Sequence, residues 1–477
     1  MNRDWLRVHH PIFFNCLEYH SDTWYGKQFA LNNTGQEIND GQSGTSGADV
    51  EASAAWAITT GDSDIIVALL DDGVEAYGYD ILSSSLEIRE GCNFGSTDEE
   101  HSVDNPAPQN DDKHGQACAG IIIAQHNNYG VRGIAPGCKL MPVRLGDLDD
   151  SSMIADAINF AYEEGADVIS CSWGTPNHYL VTDAIDDALD DGRDGKGAVF
   201  CFSAGNNEAD HEAQPEGEDG STIYPASLCS VKDGLLAVGA STKADSSANY
   251  SPWDEDFRLS VVAPSSKYKA IGEIWTTDRA YGGYNPDGET FLPDIGYNYP
   301  AYTGRFTGTS AACPLVAGIA ALILSVDPDL YADEVVDFIC STAEEVGGYD
   351  YYHDSGSRSL ELGHGRVNAY GAVVAASGFK KVASTNEPLM TDQNDVTVTL
   401  NPFNPATTLD YSIAETSRVT LTIYSVTGQK VATLVDGVMP AGRHSVVFDG
   451  SNLASGVYFY RLESPGFAKT GKMLLVK

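Results

Sequence analysis

The seventeen residues from Gly308 to Leu324, Gly-Thr-Ser-Ala-Ala-Cys-Pro-Leu-Val-Ala-Gly-Ile-Ala-Ala-Leu-Ile-Leu, are almost all small or apolar. A helix that is apolar all round has no face to offer water, so this run must be buried and the rest of a domain must wrap it. Gly308 suits a tight turn feeding the helix. Ser310 then falls in the first helical turn with its hydroxyl directed out of it, while Ala311 and Ala312 let the helix pack closely behind. A reactive hydroxyl and an ordinary helix-start serine both fit that position, and what decides between them lies upstream.

Short, continuous apolar runs mark buried strands at Ile65–Leu70, Lys139–Leu145, Asp167–Cys171, Ala198–Phe202, Leu235–Gly239 and Leu259–Ala263. Helical patterns lie at Gln116–Ala124, Met153–Glu164 and Val181–Leu189, with closing helices at Glu334–Ala343 and Val367–Ala376 and a weaker one within Ala48–Trp56. This βαβα rhythm specifies an α/β domain, a parallel sheet covered by helices on both faces. Ser151 or Ser152 is expected to cap the helix that follows. The first strand ends in Asp71-Asp72-Gly73, and in open parallel sheets functional sites gather at the carboxyl ends of strands; Asp-Gly is also ordinary turn chemistry. Asp112-Lys113-His114-Gly115 sits at the start of a helix whose other residues are small and buried, so the ring is being placed against something.

The formal charge of −40 is uneven. From Asn394 onward seven basic residues face six acidic ones, and the preceding part holds 21 basic against 62 acidic. A body this acidic excludes nucleic acid and anionic membrane as ligands and suits a solvated extracellular surface. Nine cysteines without CxxC spacing point to buried thiols rather than a zinc site. No stretch is read as a membrane span, and the N-terminus, with only Pro11–Phe14 as an apolar patch, has no signal-peptide organisation.

Four motifs follow in one order: Asp71 in Val-Ala-Leu-Leu-Asp-Asp-Gly, His114 in His-Gly-Gln-Ala-Cys-Ala-Gly, Asn206 in Ser-Ala-Gly-Asn, and Ser310 in Gly-Thr-Ser-Ala-Ala-Cys-Pro. Together they resemble the subtilisin-like serine peptidases over about residues 24–378. The doubled Asp71-Asp72, Cys118, Ser170-Cys-Ser-Trp-Gly174 and Trp275-Thr-Thr-Asp278 lean toward the kexin and proprotein-convertase branch. Gln116 stands where that family commonly has threonine. The resemblance implies a nucleophile, Ser310; a general base, His114, oriented by Asp71; and an oxyanion donor, Asn206. It places Ser172, Trp173, Gly174 and Asn177 along the primary substrate pocket. Asp72 and Asp111 would line the pocket for a basic residue one before the cleaved position. It also implies a structural calcium ion held by Asp80, Gln125, Asn128 and Gly130, though Asn-Asn-Tyr-Gly is equally an ordinary turn.

The chain thus divides into an N-terminal extension (1–23), a peptidase domain (24–378), a polar linker (379–393) and a tail (394–477). The tail has short alternating strands at Val396–Leu400, Val419–Tyr424, His444–Phe448, Val457–Leu462 and Lys472–Val476, expected to form a small all-β immunoglobulin-like sandwich. It resembles the C-terminal sorting domain of the type IX secretion pathway, which implies that machinery as a partner and a secreted or surface-held protein, expected to be a monomer. The expected activity is hydrolysis of peptide bonds in protein or peptide substrates, and the rival is an inactive surface adhesin on a peptidase scaffold. Since every candidate reactive residue precedes the linker, a chain ending at Gly378 should keep its peptidase activity. Loss of activity in that purified, shortened protein would make the tail a folding partner.

Overall fold

The computed structural model describes residues 22, 24–39, 41–76, 80–95, 102–109, 112–206, 222–253, 258–279, 302–352, 357–378, 395–398, 406–413, 417–426, 429–439, 442–450, 453, 456–465 and 467–475. Asp111, the Glu208–Asp219 loop and the linker 379–393 lie outside them. The chain divides into two compact units, Met1–Ser377 and Gly378–Lys477.

The first unit is built on six parallel strands: β1 (Ile66–Asp71), β2 (Lys139–Arg144), β3 (Val168–Cys171), β4 (Val199–Ser203), β5 (Leu235–Ser241) and β6 (Val261–Pro264). Their spatial order is β2-β1-β3-β4-β5-β6. Helices α1 (Ala52–Trp56), α2 (His114–Ile123), α3 (Ser151–Glu163), α4 (Tyr179–Gly195), α5 (Thr309–Val326), α6 (Ala332–Ser341) and α7 (Ala369–Gly378) accompany them, with a two-stranded antiparallel pair, β7 (Ile274–Thr277) and β8 (Tyr302–Phe306). Strand alternation splits the core. Val67, Leu69, Val168, Val199 and Cys201 pack with α2, α5, α6 and α7, while Ala68, Leu70, Ile169, Phe200 and Phe202 pack with α3 and α4.

Helix α5 is the centre of the first layer, with every residue from Thr309 to Leu324 buried. By length and composition it could cross a membrane, contrary to the reading of the sequence, but 89% of it is buried inside this unit. The cap of α3 also differs from expectation. Asp150 precedes both serines, and its Oδ1 accepts the N–H groups of Ser152 and Met153 at 3.1 and 3.2 Å. A carboxylate there suits the positive end of the helix better than a hydroxyl does.

The second unit has a four-stranded sheet, β12-β11-β14-β15, and a three-stranded sheet, β13-β10-β9. Its strands are β9 (Asp395–Val398), β10 (Ala406–Ile413), β11 (Ser417–Ser425), β12 (Lys430–Met439), β13 (Gly442–Asp449), β14 (Gly456–Ser464) and β15 (Phe467–Leu475). Every pairing is antiparallel. Leu409, Tyr411 and Ile413 from one sheet meet Leu421, Ile423, Tyr460 and Leu462 from the other in a single core, which makes it a sandwich. β10 and β12 add two strands to the five read from the sequence.

Candidate functional site

The strand order reverses at β1: the chain passes from β1 outward to β2, then returns to place β3 on the other side. Ligands in open α/β sheets bind at such a switch point, outside the carboxyl ends of the strands. Asp71 ends β1, and Ser172-Trp173 follow β3. Between them lies a recess of about 250 Å³ lined by Asp71, Asp72, His114, Leu145, Gly146, Leu148, Ser172 and Trp173.

Asp71 is 5% exposed. Its Oδ1 accepts the Asp72 backbone N–H at 2.8 Å and lies 2.9 Å from His114 Nδ1, with Oδ2 at 3.0 Å. A carboxylate on Nδ1 assigns the proton there and leaves Nε2 as the acceptor. Burial disfavours the imidazolium, but the Asp71 charge and hydrogen bond outweigh it and hold the His114 pKa well above its ordinary value. Trp173 Nε1–H donates to the Leu70 carbonyl at 2.7 Å, so the buried indole pins the strand end that carries Asp71. The approach to His114 is braced from behind, where Arg144 pairs with Asp112 at 2.8 Å and Arg279 Nη1–H donates to the Asp112 carbonyl at 2.6 Å.

Ser310 stands in the first turn of α5 after Gly308, whose φ of 87° is the left-handed region that glycine tolerates. Ser310 and Ser172 are joined twice: Ser172 Oγ–H donates to the Ser310 carbonyl at 3.2 Å, and Ser310 Oγ–H donates to the Ser172 carbonyl at 3.3 Å. Among the described hydrogen bonds that serine hydroxyl therefore serves Ser172 rather than His114. Cys118 Sγ lies 3.8 Å from His114 Nδ1 and 3.6 Å from the Ser310 carbonyl. Its thiol is pushed up to about 11 by burial, so it stays protonated and inert. Asn206 Oδ1 accepts the Thr309 N–H at 2.9 Å and meets the Thr309 hydroxyl at 3.2 Å. That orients the amide with its Nδ2 donor as the end left to serve a ligand.

The other expected site residues divide. Asp72 lines the recess, but its carboxylate also accepts backbone N–H groups of α2. Gly174 has no room for a side chain: a Cβ there would stand 2.4 Å from Ile223 Cδ1, and one on Gly205 2.8 Å from Ile223 Cγ2. Ile223 was not singled out in the sequence, and it fills the space between these two glycines. Asn177 is exposed just before α4 and does not line the recess.

Around Asp80 the expected cation ligands are brought together only in part. Asp80, 1% exposed, accepts the Val131 N–H at 2.9 Å and the Asn127 amide at 3.1 Å. Asp22 accepts the N–H groups of Asn127 and Asn128 at 3.2 and 2.8 Å and pairs with Arg132. Gly130 takes a positive φ and packs against Asp80, its carbonyl accepting the Trp24 N–H at 2.7 Å. Gln125 joins only through its backbone, whose N–H donates to the Asp80 carbonyl at 3.1 Å, while its side-chain amide donates to the carbonyls of Ile123 and Pro136. Two carboxylates and an amide on a tight loop are the donor chemistry of a hard cation.

With that geometry in place, comparison with known proteins is direct. The subtilase family model matches residues 62–373, and the model for the secretion system C-terminal sorting domain matches residues 401–477. The chain belongs to the subtilase family. It is 34% identical over 400 residues to a protein named calcium-dependent protease from Nostoc sp., covering 79% of this chain and 55% of that protein. The chain thus spans about half the length of that relative. A subtilisin of Bacillus pumilus is 32% identical over 297 residues, 61% of this chain and 87% of its own. The solved serine protease of Aeromonas sobria has the same fold, with a TM-score of 0.61 at 18% identity over 95% of this chain and 92% of that one.

Burial raises the Asp80 pKa from 3.8 to about 7, against the pull of its hydrogen bonds. A carboxyl that holds its proton more tightly when folded makes stability fall as pH rises, here between 3.8 and about 7. In a chelator the melting temperature should drop across that window, and millimolar calcium should cancel the drop. A melting temperature indifferent to both would remove the cation from this loop.

Proposed function

We propose that the chain is a serine endopeptidase, exported by the type IX pathway through its C-terminal sandwich and steadied by calcium at Asp80, with Asp22 and Asn127 beside it. What supports this reading is the Asp71–His114 pair at the carboxyl end of β1, with Cys118 Sγ 3.8 Å from His114 Nδ1 and 3.6 Å from the carbonyl of Ser310 at the start of a buried helix. Ser310 Oγ–H turns from the Ser172 carbonyl to His114 Nε2, which removes the proton as the oxygen attacks the substrate carbonyl. Asp71 keeps the tautomer and stabilises the imidazolium as it forms. Asn206 Nδ2 and the Ser310 backbone N–H, a first-turn donor without an intrahelical partner, hold the oxyanion. His114 then protonates the leaving amine, and water releases the acyl group by the same steps in reverse.

Ser310→Ala should lower kcat about 10⁶-fold and abolish labelling by a fluorophosphonate, leaving the melting temperature close to that of the parent. Replacing Asn206 by alanine should cost about 10²–10³-fold with labelling retained. A parent protein that neither labels nor cleaves a casein digest would favour the inactive adhesin.

For specificity, Asp72 and Asp111 favour Lys or Arg at the second position before the cleaved bond. Ile223 between Gly174 and Gly205 makes the wall of the primary pocket apolar, and Asn177 supplies no countercharge, so no obligate pair of basic residues is required. Peptide-library cleavage should show enrichment of Lys and Arg at the second position alone; equal turnover with alanine there would withdraw the basic preference.

A further inference from the structure

We infer that Asp72 is a positioning residue for the general base: its carboxylate holds the first turn of α2, and with it His114, against Asp71. The inference rests on the peptidase reading above and goes beyond a role in substrate binding.

The residue at the start of α2, Lys113, makes no side-chain cap, so the first N–H groups of the helix need an acceptor from elsewhere. Asp72 provides it across the fold. Its Oδ2 accepts the N–H groups of Lys113 and His114 at 2.9 and 3.0 Å, and its Oδ1 accepts that of Gly115 at 2.6 Å. The backbone of Asp72 acts in the same direction. Its N–H donates at 2.8 Å to Asp71 Oδ1, the oxygen that also faces His114 Nδ1. One residue therefore sets both the carboxylate that orients the ring and the backbone that carries it.

The surrounding residues make this approach possible and keep it. A Cβ on Gly115 would stand 2.5 Å from the Gly73 carbonyl and 3.1 Å from Asp72 Oδ1, so only glycine admits the contact. Gln116, where the family commonly has threonine, closes a second ring: its Oε1 accepts the Glu75 N–H at 2.9 Å and its Nε2–H donates to the Glu75 carbonyl at 3.2 Å. The segment from Asp72 to Glu75 is thus stitched to the first turn of α2 at both ends. A carboxylate offers about four acceptor sites, and three of those on Asp72 are taken by backbone, so holding the helix is its larger task and one site is left for a substrate cation. Burial, with Asp71 beside it, pushes the Asp72 carboxyl up to about 6. The backbone N–H groups of Gly115 and His114 and the imidazole offset that cost in part.

The test is Asp72→Asn in the full chain, assayed on matched peptides with alanine or arginine at the second position. The asparagine keeps the shape but points an amide donor at backbone donors. Loosening the base should lower kcat about 10–10²-fold by the same factor for both peptides, and loss of the countercharge should raise KM for the arginine peptide alone. The rate of fluorophosphonate labelling should fall in parallel, and Asp72→Ser, whose hydroxyl oxygen accepts while its proton can rotate away from the backbone donors, should recover part of the loss. A loss confined to the arginine peptide and expressed in KM would make Asp72 a substrate countercharge only and overturn the inference. So would an unchanged kcat, or the failure of both variants to fold, which would assign Asp72 to the stability of the whole unit. An inactive parent protein would instead defeat the peptidase reading, and that result needs no variant.

Discussion

Two carboxylates on consecutive residues at the end of a buried strand repel each other and lose water, a cost of several kcal/mol unless donors replace the solvent. The structure meets that cost at the junction between β1 and α2. Asp71 receives a backbone N–H and the His114 ring, and Asp72 receives three backbone N–H groups from the positive end of the helix. Remove α2 and both acids are stranded; remove the acids and nothing caps α2. The rest of the site is arranged around this mutual dependence. Trp173 fixes the strand side through Leu70, and Arg144 and Arg279 fix the loop that delivers the helix.

The second constraint is the burial of α5. A helix with no solvent face can be surrounded only if its neighbours come close, and the sequence uses small residues where they do. A Cβ on Gly318 would stand 2.0 Å from Ile134 Cγ2, and one on Gly120 of α2 would stand 2.3 Å from the Thr277 hydroxyl. Those glycines accept a lower helix propensity in exchange for contact. The hydroxyls of Thr276 and Thr277 then donate to the carbonyls of Ala117 and Gln116 at 2.6 and 2.7 Å, locking β7 onto the helix that carries His114. Ser310 is positioned by the close packing of the whole buried helix behind it.

Among the described residues the buried charges are mostly partnered. Lys243 and Glu273 pair at 2.6 Å, and Arg366 bridges Asp245 and Glu344. Part of the remaining acidity lies along α4, with Asp183, Asp186, Asp187, Asp190 and Asp191, where like charges keep that surface apart from other polyanions. The tail, nearly neutral, is a separate sandwich whose inner face is set by strand alternation: Leu409, Tyr411 and Ile413 on one sheet, Tyr458, Tyr460 and Leu462 on the other.

Much was legible in the sequence because it is encoded by near neighbours. All six core strands lie within two residues of their apolar runs, and α5 follows from a run that cannot face water. His114, Asn206 and Ser310 stand out because Gly115, Gly205 and Ala311 adjoin them and allow a tight approach, and Asp71 because it ends a buried apolar strand. Where local signals were mixed the reading fell short: β10 carries threonines, aspartate and serine between its inward residues, and β12 pairs with β11 through register shifts at Leu421/Thr422 and Ile423/Tyr424 that break its alternation. The orientation of individual side chains was decided only by the tertiary structure. Asn206 is turned by Thr309, 103 residues away; Trp173 donates to Leu70, also 103 residues away; Ile223 fills the gap between Gly174 and Gly205; and Gln125 faces Pro136 instead of Asp80. Periodicity and turn chemistry act over a few residues, so they are written in the chain itself. A hydrogen bond across a hundred residues exists only after the strands have taken the order β2-β1-β3-β4-β5-β6, and nothing local encodes that order.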